Sequence, residues 1–271
     1  MTTTIKRTLR KPVAFSGKGI HSGEPSRVTI TPAENSGLCF VKEHVYIPAT
    51  LDYVASSAYG IRLEKGGQRV AVVEHVLAAL NGFGITDALI EVDGSELPIL
   101  DGSCLLVSEA IEKAGLAELG TTDDVFSVTE PVEVRDGDRW IRLETCDHLA
   151  IDLTVDYNHP MIGRQRWTGD ITPQTFAGEI AAARTFGFLR DADLLQAAGL
   201  ALGANFDTTL VFDTNELLNP GGLRMVNEPL IHKVLDLVGD FSLLGKPLHA
   251  KITACKSGHT LSVAMMKKLT E

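Results

Sequence analysis

The chain has 271 residues, of which 44% are hydrophobic and 22% charged, a balance that excludes a disordered or fibrous protein and fits a globular one. A formal net charge of −10 argues against a nucleic-acid partner, whose footprint is basic, but allows an anionic small molecule met by local lysines. Cys39, Cys104, Cys146 and Cys255 are scattered without a C-x-x-C pair, so neither a thiolate zinc site nor a disulfide framework is expected.

Met1 to Lys11 contains no apolar leader core, and nowhere do about 18 apolar residues run together, so the expectation is a cytoplasmic protein without a transmembrane segment. From Ile5 to about Val54 the pattern is β-like, with short segments such as Arg27–Thr31 and Leu38–Val41 between Gly, Pro and Asn. Inside it, Ser16–Gly23 carries three glycines, which suit either a tight hairpin or close backbone approach to a ligand, and His21 is a candidate site residue. Residues 45–70 read as a small inserted sheet that ends in the turn Lys65-Gly66-Gly67-Gln68.

Val73, Val76, Leu77 and Leu80 then fall at helical spacing, with Glu74 and His75 in the first turn off the apolar stripe and Asn81-Gly82 as the stop. A strand over Ala88–Val92 leads to a helix from about Cys104 to Ala114, for which Asp101 or Ser103 supplies the N-cap. Gly120–Asp124 is polar and precedes a fresh β pattern, so the domain boundary is expected there, dividing the chain into 1–120 and 125–271. Val125–Val134 and Arg139–Glu144 flank the hairpin signal Asp136-Gly137-Asp138, and Leu149 to Tyr157 alternates as a half-buried strand. A helix is predicted from Thr172-Pro173 to Ala183, then a second with Asp191 as its cap and Gly199 as its stop, then a strand over Thr208–Phe212. A strand over Leu248–Cys255 and a helix after Gly258-His259 close the chain.

Between them, Pro229–Asp240 reads as a helix that puts Val234, Leu237, Val238 and Phe241 on one stripe and His232, Asp236 and Asp240 on another. The ordinary meaning of those three polar residues is a solvated helix face; the sharper one is that His232 and Asp236, four apart, share one metal ion. His75-Val76-Leu77 echoes His232-Lys233-Val234-Leu235, each opening a helix followed by one strand and another helix. That echo predicts two copies of one α+β unit with equivalent helix starts facing each other, which brings His75 to His232 and Asp236. Two histidines and one aspartate make the three protein ligands of a catalytic zinc with an open water position. Glu74 is then placed to take a proton from that water, His259 to supply a second proton-transfer group, Asp240 to hold that imidazole charged, and Lys233 and Lys256 to meet phosphates.

Several ordered motifs carry a resemblance over nearly the whole chain: Val73-Glu74-His75, Ala183–Phe188, His232-Lys233-x-x-Asp236-x-x-Gly239-Asp240 and Lys256–His259, together with Gly17–Gly23 and Pro98–Ser103. They resemble the UDP-3-O-acyl-N-acetylglucosamine deacetylases, zinc hydrolases of lipid A synthesis. The resemblance implies an α+β fold of two similar domains, each a sheet with two helices, packed helix layer to helix layer. It also implies an insert in each domain, near 45–70 in the first and near 184–210 in the second. By motif it makes His75, His232 and Asp236 the ligands of one Zn²⁺, with Fe²⁺ as the alternative ion. Glu74 becomes the general base, His259 the cationic acid, Asp240 its partner, and Thr185 a donor to the oxyanion. Phe186, Gly187 and Phe188 would line a passage for the acyl chain, Lys233 and Lys256 would contact the nucleotide diphosphate or sugar, and His21 would line the site. The expected partner is an acylated UDP-sugar met by a monomer. Ser56–Gly60 and the short loop Asn158–Arg164 depart from the family pattern, which bears on ligand contacts and acyl preference rather than on the metal.

Overall fold

The computed structural model describes residues 4–271; Met1–Thr3, the start of the stretch read for a leader, lie outside the described residues. The first part of the chain forms strands β1 (Thr4–Leu9), β2 (Val13–Lys18), β3 (Pro25–Pro32), β4 (Leu38–Lys42), β5 (Val45–Pro48), β6 (Val54–Ser56), β7 (Arg62–Lys65) and β8 (Gln68–Ala71), then helix α1 (Glu74–Gly82), strand β9 (Ala88–Val92) and helix α2 (Leu105–Ala114). The second part runs β10 (Leu116–Thr122), β11 (Phe126–Ser127), β12 (Val132–Asp136), β13 (Arg139–Thr145), β14 (Leu149–Tyr157), β15 (Gly163–Asp170), the single turn α3 (Pro173–Thr175), β16 (Phe186–Phe188), α4 (Leu189–Ala197), β17 (Leu210–Phe212), α5 (Glu228–Phe241), β18 (Leu248–Cys255) and α6 (His259–Thr270). The architecture is mixed α+β, with several sheets and six helices.

Two large sheets dominate. One has the order β2-β3-β9-β4-β5 and the other β12-β13-β18-β14-β15, and in both the strand latest in sequence sits in the middle. That central strand is antiparallel to its neighbour on one side and parallel on the other in each sheet. The alternation of β18, buried at every second residue, gives one face to the core and one to the outside, as period-2 patterning requires. One contiguous core joins both sheets and the helices, from Val28, Ile30 and Phe40 to Ile141, Ile252 and Phe241.

The helices meet where the backbone allows it. Gly239 of α5 lies so close to α1 that a Cβ there would overlap the Glu74 carbonyl oxygen, and Asn81 Nδ2 donates to the Val238 carbonyl at 3.0 Å. Every residue of α5 except Lys233 is buried. Its polar stripe is therefore not the solvated face that amphipathic spacing suggests, because His232, Asp236 and Asp240 are only 2%, 5% and 1% exposed.

Several local expectations are corrected. Gly120–Thr122, within the stretch read as the domain boundary, is strand: β10 pairs antiparallel with β1, from Leu116 opposite Leu9 to Thr122 opposite Thr4. The small sheet expected over 45–70 is β6-β7-β8 and begins only at Val54, since β5 pairs with β4 in the large sheet. The strand expected from Val125 to Val134 is broken by Pro131, which has no N–H for a ladder, leaving β11 beside β18 and β12 beside β13. Thr172 caps its helix as expected, accepting from the Thr175 N–H at 3.1 Å, but the helix lasts one turn and continues as a π-turn over Phe176–Ile180. The fully buried Phe176 ring fills the place a side chain at Gly82 would take, so tertiary packing overrides the helical pattern. Asp191 is in the first turn of α4 rather than its cap, and makes no capping bond. For α2, Ser103 Oγ accepts from the Leu105 N–H at 3.1 Å and is itself held by Asp101.

Candidate active site and metal centre

Two helix starts and one helix interior supply the chemistry. α1 begins two residues after Val72, a β-branched residue held at φ +57°, a conformation that costs about 1–3 kcal/mol and persists only where its surroundings enforce it. The turn delivers Glu74 and His75 at the helix start facing α5, where His232 and Asp236 lie one turn apart. The His75 and His232 rings are 4.9 Å apart and nearly perpendicular. Asp236 Oδ1 is 3.4 Å from His232 Nε2 and 3.7 Å from His75 Nε2, and the three potential ligand atoms all lie within 4.8 Å of one another.

The protonation states suit a cation. Burial, reinforced by the neighbouring His232, pulls His75 down to about 3, and burial also lowers His232, so both imidazoles are neutral with a lone pair to offer. The Ala183 carbonyl is 3.0 Å from His232 Nδ1, which fixes the proton there and leaves Nε2 as the free nitrogen. Burial opposes charge on Asp236, but Lys233 and the surrounding histidines outweigh it and hold the carboxyl well below the usual range. Two neutral imidazoles and one carboxylate, brought together in a largely buried place, fit a divalent ion of the zinc type.

Around this trio stand a base and an acid. Glu74 is 3% exposed; its Oε2 accepts from the Ile61 N–H at 2.9 Å, while Oε1 faces His259 Nε2 at 3.9 Å. Burial, with Asp236 adding to it, pushes Glu74 up to about 7. A Cβ on Gly60, at φ +130°, would lie 2.8 Å from Glu74 Oε1, so the glycine is required where Ser56–Gly60 runs past the carboxylate. For His259 burial works downwards, yet Asp240, whose Oδ1 accepts from Nδ1 at 2.8 Å, carries it up to about 10. Asp240 Oδ2 is buried without a hydrogen-bond partner, an unrelieved negative charge that further favours the imidazolium.

Glu74, His75, His232, Asp236 and His259 all open into one cavity of about 300 Å³, which also has Thr185, Lys233 and His21 in its wall. Its apolar arm comes from Phe186, Gly187 and Phe188 of β16, from Leu189, Ala192 and Leu195 of α4, and from Ile20 and Ile99. Lys233 donates to Asp236 Oδ2 at 2.8 Å and lies 5.6 Å from the Phe186 ring centre. Lys256 is not part of the lining; its ammonium pairs with Asp138 at 2.7 Å and Asp156 at 3.6 Å.

Sequence reasoning missed three supporting groups. Glu96, 4% exposed, accepts from the His21 and Ser22 N–H groups; Glu228, fully buried, pairs with Arg184; and Arg224 bridges Asp101, Ser103 and the Ala182 carbonyl. Arg184 and Arg224 sit behind Thr185, whose N–H donates to the Gly102 carbonyl at 2.7 Å. Their partners are backbone groups or side chains tens of residues away, so no local spacing marks them.

Neutral imidazoles and an ionised carboxylate ready for a cation, flanked by a carboxylate near neutrality and a persistent imidazolium, are the parts of a metal-dependent hydrolase. Residues 6–271 match the family described as LpxC: UDP-3-O-acyl N-acetylglycosamine deacetylase. A UDP-3-O-acyl-N-acetylglucosamine deacetylase of an Anaeromyxobacter species is 42% identical over 99% of this chain and 90% of its own length. The enzymes of that name from Myxococcus xanthus and Leptospira biflexa are 39% and 38% identical, over 97% and 98% of this chain and 86% and 90% of theirs. The chain belongs to the UDP-3-O-acyl N-acetylglycosamine deacetylase family.

Proposed function

We propose that this protein hydrolyses the 2-acetamido group of UDP-3-O-acyl-N-acetylglucosamine, releasing acetate and a free sugar amine, the committed step of lipid A synthesis. The observation that carries this reading is the His75/His232/Asp236 trio in one cavity with Glu74 and His259, in a chain of this family. These three residues would hold one Zn²⁺, or Fe²⁺ in its place. When bound, such an ion polarises the acetamide carbonyl and acidifies the attacking water.

The chain's own residues do the rest. Ionised Glu74 takes the proton of the water, and its fixed Oε2 leaves Oε1 as the basic oxygen. The Thr185 hydroxyl donates to the oxygen that gains charge during attack. His259, kept cationic by Asp240, gives its proton to the departing nitrogen. Lys233 meets the anionic part of the substrate, and the apolar arm along Phe186 and Phe188 receives the 3-O-acyl chain, one apolar atom group against another. His21 lines the mouth of that arm.

The matched strand orders, with helices α1 and α2 around β9 and helices α5 and α6 around β18, support reading the chain as two copies of one sheet-plus-two-helix domain packed through their helices. The division then falls after Thr122, each copy with its own insert, β6–β8 in the first and β16–β17 with α4 in the second. No helix among the described residues is long and apolar enough to cross a membrane. The protein is further proposed to work as a cytoplasmic monomer.

The test is mass-spectrometric detection of acetyl loss from UDP-3-O-acyl-N-acetylglucosamine by metal-replete protein. Glu74→Ala is expected to lower turnover by about 10²–10⁴-fold while metal content stays the same. Intact substrate after incubation with folded, metal-bound protein at several acyl lengths would refute the substrate assignment, and near-full activity of Glu74→Ala would refute the base.

A further inference from the structure

The loop between β2 and β3 is gripped from both sides. Glu96, buried beside it, accepts from the His21 N–H at 2.8 Å with Oε1 and from the Ser22 N–H at 2.7 Å with Oε2. Both oxygens of a buried carboxylate are thus spent on fixing this one turn, which is a strong restraint because each bond has a charged acceptor. The opposite side of the loop docks on the second insert. Leu202 N–H donates to the His21 carbonyl at 3.1 Å and Gly203 N–H to the Ile20 carbonyl at 3.0 Å. The approach is close enough that a Cβ on Gly203 would overlap the Gly19 carbonyl oxygen, so a glycine is needed there.

The His21 side chain extends the same contact to the first insert. Ala201 N–H points at Nδ1 at 3.3 Å, and a backbone N–H can only donate, so Nδ1 is the unprotonated nitrogen. Nε2 then carries the proton and donates it to the Tyr59 carbonyl at 2.6 Å. One neutral imidazole, in a tautomer set by its partners, therefore joins the segment after β6 to the segment after α4. Both residues that it holds, Tyr59 at φ +59° and Ala201 at φ +55°, lie in the left-handed region that side chains other than glycine's avoid. Strained positions of this kind persist where neighbours enforce them, and here the neighbour is His21.

We propose that His21, seated by Glu96, is a positioning residue that ties the two inserts together over the apolar arm of the cavity and so sets how strongly a long acyl chain is bound. The proposal rests on the reading of that arm as the acyl site. Tyr59, Ala201 and Ala204 line the arm together with Ile20, so loosening the tie opens its wall while His75 and His232, anchored on α1 and α5, keep their places. The effect therefore falls on binding of the chain more than on bond cleavage.

His21→Ala is compared with the unaltered protein in two measurements. In hydrogen exchange on metal-replete protein without substrate, the amides of Ala201, Leu202 and Gly203 are expected to exchange about tenfold faster or more in the variant, with the amides of α5 unchanged. This readout does not depend on which substrate the enzyme uses. In kinetics with long-chain and short-chain UDP-3-O-acyl-N-acetylglucosamine, KM for the long-chain substrate is expected to rise about tenfold, several times more than for the short-chain one, with a smaller change in kcat. Unchanged exchange over Ala201–Gly203 would overturn the tie. Faster exchange with KM raised equally for both substrates, or with the loss confined to kcat, would overturn its role in acyl selection.

Discussion

Helices α4 and α5 both line the cavity, yet they are built in opposite ways. α5 buries every residue but Lys233, including three acids and a histidine, whereas α4 buries none and leaves Leu194 73% exposed. α5 is fixed by α1 through the Gly239 contact and by the strands of the second sheet, so its ionisable groups are held in a buried setting, where burial lowers the proton affinity of His232 and neighbouring cationic groups lower that of Asp236. α4 is closed by its own end, Leu200 N–H reaching back to the Leu195 carbonyl at 2.8 Å with Gly199 at φ +74°, and otherwise lies on the surface. On the proposed reading, part of the metal site thus sits on a highly constrained element and part of the acyl passage on one of the least constrained, which would let the passage change without disturbing His232 and Asp236.

The contrast breaks most severely at Gly239. Gly239→Ala drives a methyl group into the α1 backbone and is expected to destabilise the protein by about 3 kcal/mol or more, read as a lower denaturant midpoint, with loss of metal binding in the same sample. A midpoint equal to that of the unaltered protein would mean that the two helices separate at little cost.

The pH profile sharpens the comparison without changing the fold. Glu74 must be ionised to accept a proton, so kcat/KM is expected to fall about tenfold per pH unit below an acid limb at or under about 7, a bound cation moving that limb down rather than up. His259 must be protonated to donate, so activity falls again above an alkaline limb set by its value of about 10, lowered in turn by the cation. Asp240→Asn removes the charge that raises His259 and should shift the alkaline limb down by about one unit or more, leaving the acid limb nearly in place. A limb that does not move would assign the alkaline ionisation to another group.

The smallest effect belongs to α4. Leu194→Ser replaces an exposed side chain that lines nothing, and the expected change in stability is within about 0.5 kcal/mol by denaturant titration. A larger loss would show that α4 is held by contacts beyond those it makes here.

What the sequence discloses follows the range of the interactions involved. The ligand helices were legible because Val73, Val76, Leu77 and Leu80, and likewise Val234, Leu237, Val238 and Phe241, repeat within a turn or two. The hairpin at Asp136–Asp138 and the half-buried strand over Leu149–Tyr157 were equally local, and both formed as read. The meeting of His75 with His232 is not local, but the echo of one helix start in the other stood in for it. That Gly120–Thr122 is strand was not legible, because its partner, β1, lies more than a hundred residues away and both strands are partly exposed. Glu96 carries no motif at all: its partners are two backbone N–H groups, and any residue but proline offers one. The burial of Asp236 and Asp240 was hidden for a related reason, since a polar stripe on a helix reads the same whether it faces water or a second helix.

The place of β18 in its sheet has a consequence for how the protein is made. The strand runs between β13 and β14, which are joined in sequence yet do not pair with each other, so the hairpins β12-β13 and β14-β15 stay unjoined until residues 248–255 leave the ribosome. The first sheet faces no such delay, because its central strand β9 is complete by Val92. During synthesis an early, closed half therefore waits beside a late half that still exposes unpaired strand edges, and His232 and Asp236 emerge before the strand that completes their support. Nascent chains stalled short of Cys255 should accordingly be the forms most in need of a chaperone.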